Sequence, residues 1–573
     1  MSAPYTPAPP MLLRLRGSQA EMGAQHGRLL VEAGGYEEAL SFYPRMASAM
    51  LSLAFPYSVR GPARRVLQTG LTLGADRLHR GRRRWFPEYA ARTEALLRAG
   101  GLTPNIGRAL AVMDVLQNTV GAFGRLGLLA PTGLQVAAVP ACTSLAVWGE
   151  SSSDGALRHA RNFDFPGAGI WDRAPTVVLC EPDDGLRYGF VTTRGADVPG
   201  VTAFNEAGLS LTAHTRFHRD FNFDGVSVID FGHELVRRCR TLAEVRRRAA
   251  ELRTASTWGF LVSSASEQKA MVIETTGNAV RFVEPKLGAS HLAHTNRYLD
   301  PELAQGEVTS SVSFVLDSDA RYRRADTAVE RHGGTLDRTQ LERVLGDSGD
   351  PGAPDPHADD RVGGNCIVSA MTVKSVVLEP EAARVRMSIG AAPTCLGPWI
   401  DVPYAWDGPV ERVELSASSA APEDQRAIAM RRYVTATRAH LEGASPQRVR
   451  ELLEDAIAAV PSEPNFRFLA AMFAVSTDDL HGAAEHLERA LEREHGAYRR
   501  ALLLCWYART LAANGRRAHA RDAWRALQRI ADADGVAPLR AAGAEESKRP
   551  LSRMRLRMVV PDVFLIDAAL PGR

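Results

Sequence analysis

The stretch Pro140-Ala141-Cys142-Thr143-Ser144, followed by an alternating run and then by Arg161-Asn162-Phe163-Asp164, decides how the rest of the chain is read. It stands where a helical first portion gives way to strands. After Cys142, the residues Leu145, Val147, Leu157, Ala160 and Phe163 are interleaved with small or polar ones, and Ser151-Ser152-Ser153-Asp154-Gly155 supplies turn chemistry. Residues 142–165 therefore read as a β-hairpin. Such a hairpin returns Arg161 and Asp164 to the side of Cys142. Positive charge lowers a thiol pKa and a carboxylate orients a base, so this convergence suits Cys142 as a thiolate nucleophile.

A chain of 573 residues has room for at least two cores. Its formal charge is +3, and the basic residues are almost all arginine, with lysine only at Lys269, Lys286, Lys374 and Lys548. No basic stripe interleaved with aromatics occurs, which argues against a nucleic-acid partner. The cysteines at 142, 180, 239, 366, 395 and 505 are scattered without a CxxC pair, so neither a disulfide framework nor a zinc site is expected. His214 and His218 have i, i+4 spacing, but they lack a third ligand and the glutamate of HExxH, and they read as solvated or hydrogen-bonded histidines. Residues 1–10 carry neither a charged n-region nor an apolar h-region, and no later stretch approaches 18 apolar residues. A cytoplasmic protein without a transmembrane segment is the expectation.

Five segments follow in order. Residues 1–141 read mainly as helix, with a capping box at Ser18-Gln19-Ala20-Glu21 and further helices near 85–100 and 104–121. Residues 142–405 mix strands with helices. Strands are expected at 142–149, 156–165, 175–181, 187–193, 201–205, 208–213, 259–264, 270–275, 279–284, 365–371, 375–379 and 384–390, and helical spacing at 227–251 and 319–346. Strand blocks separated by helix blocks argue for an α+β fold over a doubly wound parallel one. The loop 346–364 is too rich in Pro, Gly and Asp to be regular, and is read as a pocket flap or an insertion. Residues 406–422 read as a linker. From 423 to 540 the chain turns to Ala/Leu/Arg/Glu-rich helix, and Leu453-Glu454-Asp455-Ala456-Ile457 recurs as Leu487-Glu488-Arg489-Ala490-Leu491, 34 positions on. That period suggests tetratricopeptide-like helix pairs, either docking on the rest of the chain or taking a protein partner. A tail, 541–573, ends the chain as a docked strand or helix rather than a membrane anchor.

The Ala141-Cys142-Thr143-Ser144 stretch, with Asp154-Gly155-Ala156-Leu157 leading to Arg161-Asn162-Phe163-Asp164-Phe165, resembles the autoproteolytic acyltransferases and amidases of the isopenicillin N acyltransferase family. These are N-terminal nucleophile (Ntn) hydrolases. The segment from Leu15-Arg16-Gly17-Ser18 to Gln25-His26-Gly27 resembles the opening of that family's α portion, with His26 read as a surface or hydrogen-bonded histidine rather than a catalytic one. The segments Asn205-Glu206-Ala207-Gly208, His294-Thr295-Asn296-Arg297 and Ser318-Asp319-Ala320-Arg321 fall in the family's order.

The resemblance implies an Ntn-hydrolase αββα four-layer sandwich, here with the C-terminal helical domain added. It implies a chain that cuts its own Ala141–Cys142 bond, freeing an α-amine as the base for the Cys142 thiol. It assigns Asp164 to the α-amine, Arg161 and Arg321 to the charge network of the thiol, and the Asn205 backbone N–H with the Asn296 amide to the oxyanion hole. Ala141 stands where the fungal enzyme has glycine, and the hairpin turn is longer. The implied reaction is acyl transfer from an amide or thioester, through an acyl-cysteine, to water or an amine. No cofactor is implied, and an acyl-CoA would enter as a substrate. Two rival readings remain at this point. One is a penicillin V or bile-salt type amidase with little transfer activity. The other is a helical-repeat interaction protein with an inactive Ntn-like domain.

Overall fold

The computed structural model describes residues 8–34, 62–109, 111–126, 141–309, 311–347, 366–416 and 425–570. Most of the loop 346–364 and the end of the expected linker lie outside the described residues. Fifteen strands form two sheets among the described residues: β1 (Met11–Gly17), β2 (Ala141–Gly149), β3 (Gly155–Asp164), β4 (Pro175–Pro182), β5 (Tyr188–Thr193), β6 (Thr202–Asn205), β7 (Leu209–Thr215), β8 (Trp258–Ser264), β9 (Lys269–Thr275), β10 (Val280–Val283), β11 (His291–His294), β12 (Thr372–Glu379), β13 (Arg384–Ser388), β14 (Trp399–Pro403) and β15 (Glu411–Glu414). The larger sheet runs β10-β9-β8-β7-β6-β5-β4-β1-β15, and the smaller β11-β2-β3-β12-β13-β14.

The two sheets lie face to face. Leu12, Val177, Leu179 and Phe204 of one pack against Val376, Leu378, Val385 and Met387 of the other. A polar seam crosses the same interface, where Ser144 Oγ and His159 Nε2 both lie 2.9 Å from Thr212 Oγ1. Of the longer helices, α1 (Gln19–Ala33), α2 (Pro62–Trp85), α3 (Pro87–Ala99), α4 (Val112–Arg125), α5 (Val228–Arg238) and α6 (Leu242–Glu251) lie on the side of the larger sheet, whereas α7 (Val312–Asp326) and α8 (Arg338–Leu345) cover the smaller one. The order is helix, sheet, sheet, helix.

Three expectations need revision. The first portion, read as mainly helix, opens with an unexpected strand: Leu13 and Leu15 are buried while Arg14 and Arg16 alternate with them, so β1 enters the large sheet between β4 and β15. The apolar run at 366–371 is buried without being a strand, and the ladder to β3 begins only at Thr372. The helical reading of 104–121 breaks into Asn105–Ala109 and α4.

The helices before Cys142 are tied to the rest of the fold by buried polar contacts. The capping box of Ser18 and Glu21 starts α1. Gly23 and Gly27 let α1 lie against α3, for a Cβ on Gly23 would stand 2.1 Å from the Arg92 carbonyl oxygen. Arg92 is itself buried, donating to both oxygens of Asp197 at 2.7 and 2.8 Å and to Tyr188 OH at 3.0 Å. His26 is buried rather than on the surface, with Nδ1 3.4 Å from Asp197 Oδ1. Arg82 meets Asp230, Tyr89 OH donates to Glu234, and Asp114 accepts from Trp258 Nε1 and Ser256 Oγ. Arg92→Met strands a buried carboxylate at Asp197 and costs about 3–5 kcal/mol. Thermal melting reads this as a lowered transition, and an unchanged transition contradicts it.

The C-terminal helices α9 (Gln425–Leu441), α10 (Pro446–Ala459), α11 (Pro464–Ser476), α12 (Leu480–Arg493), α13 (Ala497–Ala513), α14 (Arg517–Gln528) and α15 (Val536–Glu546) pack in sequence, each on the next. The recurring Leu453, Ala456, Ile457 and Leu487, Ala490 are buried faces of second helices in successive pairs. Among the described residues no helix is long and apolar enough to cross a membrane.

Candidate active site

Cys142 is the second residue of β2, and the register of the β2–β3 hairpin builds the site around it. Cys142 lies opposite Phe163, Ser144 opposite Arg161 and Ala141 opposite Asp164. Residues directly opposite in an antiparallel pair share a face, and successive residues alternate. Cys142, Ser144, Arg161 and Phe163 therefore point between the sheets, whereas Ala141, Thr143 and Asp164 point toward α7 and α8.

On the inner face, Arg161 Nη2 donates to Cys142 Sγ at 3.3 Å and to the Ala213 carbonyl at 2.7 Å. Its Nη1 holds Thr202 Oγ1 at 2.6 Å and the Val201 carbonyl. Burial raises the Cys142 thiol above its ordinary value, against the pull of Arg161. On the outer face, Asp164 accepts from Thr372 Oγ1 at 2.6 Å through Oδ1, while its buried Oδ2 has no hydrogen-bond partner. Burial raises this carboxyl to about 7, opposed by Arg321 and by the Thr372 hydrogen bond.

Asn296 and Arg321 close the end of the hairpin. β11 pairs with β2 as far as His294 opposite Ser144, and two residues on Asn296 Oδ1 accepts from the Cys142 N–H at 2.8 Å. Its Nδ2 donates to the Thr215 carbonyl at 3.0 Å. From α7, Arg321 donates to the Cys142 carbonyl at 2.7 Å, to Thr143 Oγ1 and Asn296 Oδ1 at 3.1 Å each, and to Asp317 at 2.9 Å. Ser318, one turn earlier, accepts from the Asn296 N–H at 3.1 Å.

Asn205 is the exception among the expected residues. Its Nδ2 donates to the Val236 and Cys239 carbonyls at the end of α5, and its Oδ1 accepts from Ala207 and Leu209 in the β6–β7 turn. Three residues along the strand separate it by about 10 Å from Thr202, which meets Arg161. These contacts engage the Asn205 side chain at a helix end and a turn, whereas the expected oxyanion role belongs to its backbone N–H. The residue that sequence reasoning missed is Thr215, which closes β7 beside Asn296 and lines the pocket of Cys142. The expected strand stopped at 213, and only the packing of β7 on β2 reveals the position. His214, within the same stretch, is buried with Nε2 2.9 Å from Ser144 Oγ.

The pocket over Cys142 encloses about 570 Å³ including its mouth. Apart from Cys142 and Thr215 its lining is apolar: Met113 of α4, Phe163, Phe165, Trp171, Val198, Val201, Ala213, Val228, Ile229 and Trp258. Phe163, Phe165 and Trp171 pack on one another with ring centroids 5.2 to 5.7 Å apart. Trp258 is set by its hydrogen bond to Asp114, so α4 supplies part of the wall.

The raised carboxyl makes a pH prediction. An unfolded aspartate ionises near 4, so between about pH 4 and 7 the unfolded chain releases a proton that the folded chain keeps, and folding stability falls as pH rises. The penalty is absent below pH ~4 and complete above ~7, where it reaches ~4 kcal/mol. In the Cys142→Ala background, Asp164→Asn raises stability at pH 8 and leaves it unchanged at pH 4. Urea unfolding of both chains at both pH values checks this, and equal gains at the two values would refute it.

No curated protein matches the chain. Among solved structures it is similar to a Caenorhabditis elegans N-acylethanolamine-hydrolyzing acid amidase (NAAA) ortholog, at 19% identity and a TM-score of 0.29, over 42% of this chain and 93% of that one. Residues 152–378 match the family model of acyl-coenzyme A:6-aminopenicillanic acid acyl-transferase. The matched span contains Arg161, Asp164, Asn205, Asn296 and Arg321, and begins ten residues after Cys142. The expectation drawn from the hairpin and the segments after it is met: residues 152–378 form a domain of the acyl-coenzyme A:6-aminopenicillanic acid acyl-transferase family.

Proposed function

We propose that the chain is a self-processing N-terminal-cysteine hydrolase or acyltransferase acting on linear amide or thioester bonds. One observation carries this reading: the Cys142 thiol opens into an apolar pocket while its own N–H, on Asn296 Oδ1, lies at the strand end that bears the unpartnered Asp164 oxygen. In processing, Sγ attacks the Ala141 carbonyl carbon, the Ala141–Cys142 C–N bond breaks, and the nitrogen takes the thiol proton. Water then hydrolyses the thioester, leaving the Ala141 carboxylate and a free Cys142 with its α-amine.

In catalysis the α-amine takes the thiol proton and the thiolate attacks the substrate carbonyl. The amine returns the proton to the leaving group, and water or an acceptor amine resolves the acyl-cysteine. Asp164 holds the resulting ammonium, and Arg161 favours the thiolate. The Asn296 amide and the Thr215 end of β7 stabilise the oxyanion. The aromatic walls suit an acyl or arylacyl chain. The C-terminal helices are read as tetratricopeptide-like pairs on their 34-residue spacing.

Purified wild-type protein, incubated with N-acyl amides and acyl-CoA thioesters of graded chain length, with and without an acceptor amine, tests the reaction. Acyl release that is blocked by thiol alkylation supports it, and an N-acylated acceptor identifies transfer. Absence of acyl release across the series, from protein shown by intact mass to be cut before Cys142, rejects it.

A further inference from the structure

The C-terminal tail lies against the first helices of the pairs in the helical array. Its two short strands, Val560–Asp562 and Asp567–Ala569, pair as a hairpin that crosses the first helix of three successive pairs. Tyr433 OH of α9 donates to the Val563 carbonyl, and Arg499 of α13 donates to the Ile566 carbonyl. Arg499 also donates to Asn465 of α11 at 2.8 Å, joining the middle helix to the contact. Val559, Val563 and Ile566 are buried. Val559, Pro561 and Val563 are buried at alternate positions of the tail, and backbone carbonyls held by side chains of a helical array beside alternate buried side chains are the terms on which a groove takes a peptide.

The same tail reaches the catalytic layer. Asp567 Oδ2 accepts from Tyr498 OH of α13 at 3.2 Å and from Ser313 Oγ, in the first turn of α7, at 2.5 Å. Five residues after Ser313, Ser318 holds the Asn296 N–H, and Arg321 holds the Cys142 carbonyl a turn later.

We propose that residues 559–569 are an intramolecular peptide ligand of the helical array, and that Asp567 is a positioning residue that fixes α7 and through it Arg321. The occupant of the groove is this chain's own segment, not a separate protein. The kinetic arm of the test rests on the enzyme reading above, and the physical arms do not.

The test uses the full chain with a specific protease site placed between Arg557 and Met558, cut after folding. The wild-type tail fragment stays bound through gel filtration and exchanges with a labelled synthetic peptide of residues 558–570. A fragment carrying Asp567→Asn leaves about tenfold faster, because the hydrogen bonds from Ser313 and Tyr498 lose their charged acceptor. In uncut full-length Asp567→Asn, backbone amides of residues 312–326 exchange about tenfold faster, while those of α11 are unchanged. Turnover falls several-fold at constant KM, since the pocket walls are untouched, and Asp567→Glu restores part of it. A wild-type fragment that leaves on cutting, or unchanged exchange across α7 in Asp567→Asn, overturns the proposal. A full-length Asp567→Asn chain with faster α7 exchange but no activity even in the wild type sustains the clamp and rejects only the enzyme reading.

Discussion

Cys142→Ala leaves one uncut chain and lowers turnover by a factor on the order of 10⁴ to 10⁶, the range found when a covalent nucleophile is removed. Two losses coincide in this variant. On the proposed mechanism no sulfur remains to attack the Ala141 carbonyl, so the α-amine that would serve as base is never released, and no nucleophile remains for the substrate. Substrate binding survives, because the pocket is walled by Phe163, Trp171, Val198 and Trp258 and owes little to the thiol. A substrate Kd within tenfold of wild type is therefore expected beside the lost turnover. Intact-mass measurement under denaturing conditions, run beside wild type, decides the first part. An alanine chain that is cut removes Cys142 as the agent of cleavage, and a wild-type chain that stays whole after prolonged incubation removes the free amine from the mechanism.

Arg321→Met costs about 3–5 kcal/mol, the penalty for breaking a buried charge-assisted network from one side. The guanidinium serves the Cys142 carbonyl, Thr143 Oγ1, Asn296 Oδ1 and Asp317 at once, and methionine reaches none of them. The melting transition falls by roughly 5 °C, as expected of a folding unit this large. Lysine, with a single ammonium in place of a planar fork, recovers less than half of the loss. Activity falls further than stability alone requires, because α7 no longer fixes the strand end that carries the thiol. Differential scanning calorimetry of Arg321→Met and Arg321→Lys checks the ordering. A lysine variant equal to wild type would show that one hydrogen bond, not the fork, carries the contact.

The parts of the fold legible in the sequence are those set by local pattern. The period-two alternation around Leu145, Val147 and Leu157, with a Ser-Asp-Gly turn between, fixes the hairpin that places Arg161 on the thiol side and Asp164 on the other. Asn296 and Arg321 were found by motif order, and they meet Cys142 only because β11 adds to the edge of β2 and α7 packs on both. Local pattern misled where its signal is ambiguous. Cys366-Ile367-Val368 has the composition of a strand, yet a buried apolar run needs no ladder. Asn205 sits in an Asn-x-x-Gly turn whose side chain is used by the turn itself. Thr215 carries no local signal, since its place in the site depends on one sheet stacking on another.

The position of β1 bears on what becomes of a cut chain. It pairs in parallel with β4 along its whole length and antiparallel with β15 on its other edge, so the first piece is threaded between two strands of the second. Separating the pieces means opening two ladders together with the Arg92–Asp197 pair buried behind them. Covalent continuity is then needed to reach the fold and not to keep it. Pieces made separately and mixed have no ready slot to fill, because β4 and β15 lack the strand that sets the space between them, and activity regained by mixing is expected to fall far short of that from the single chain.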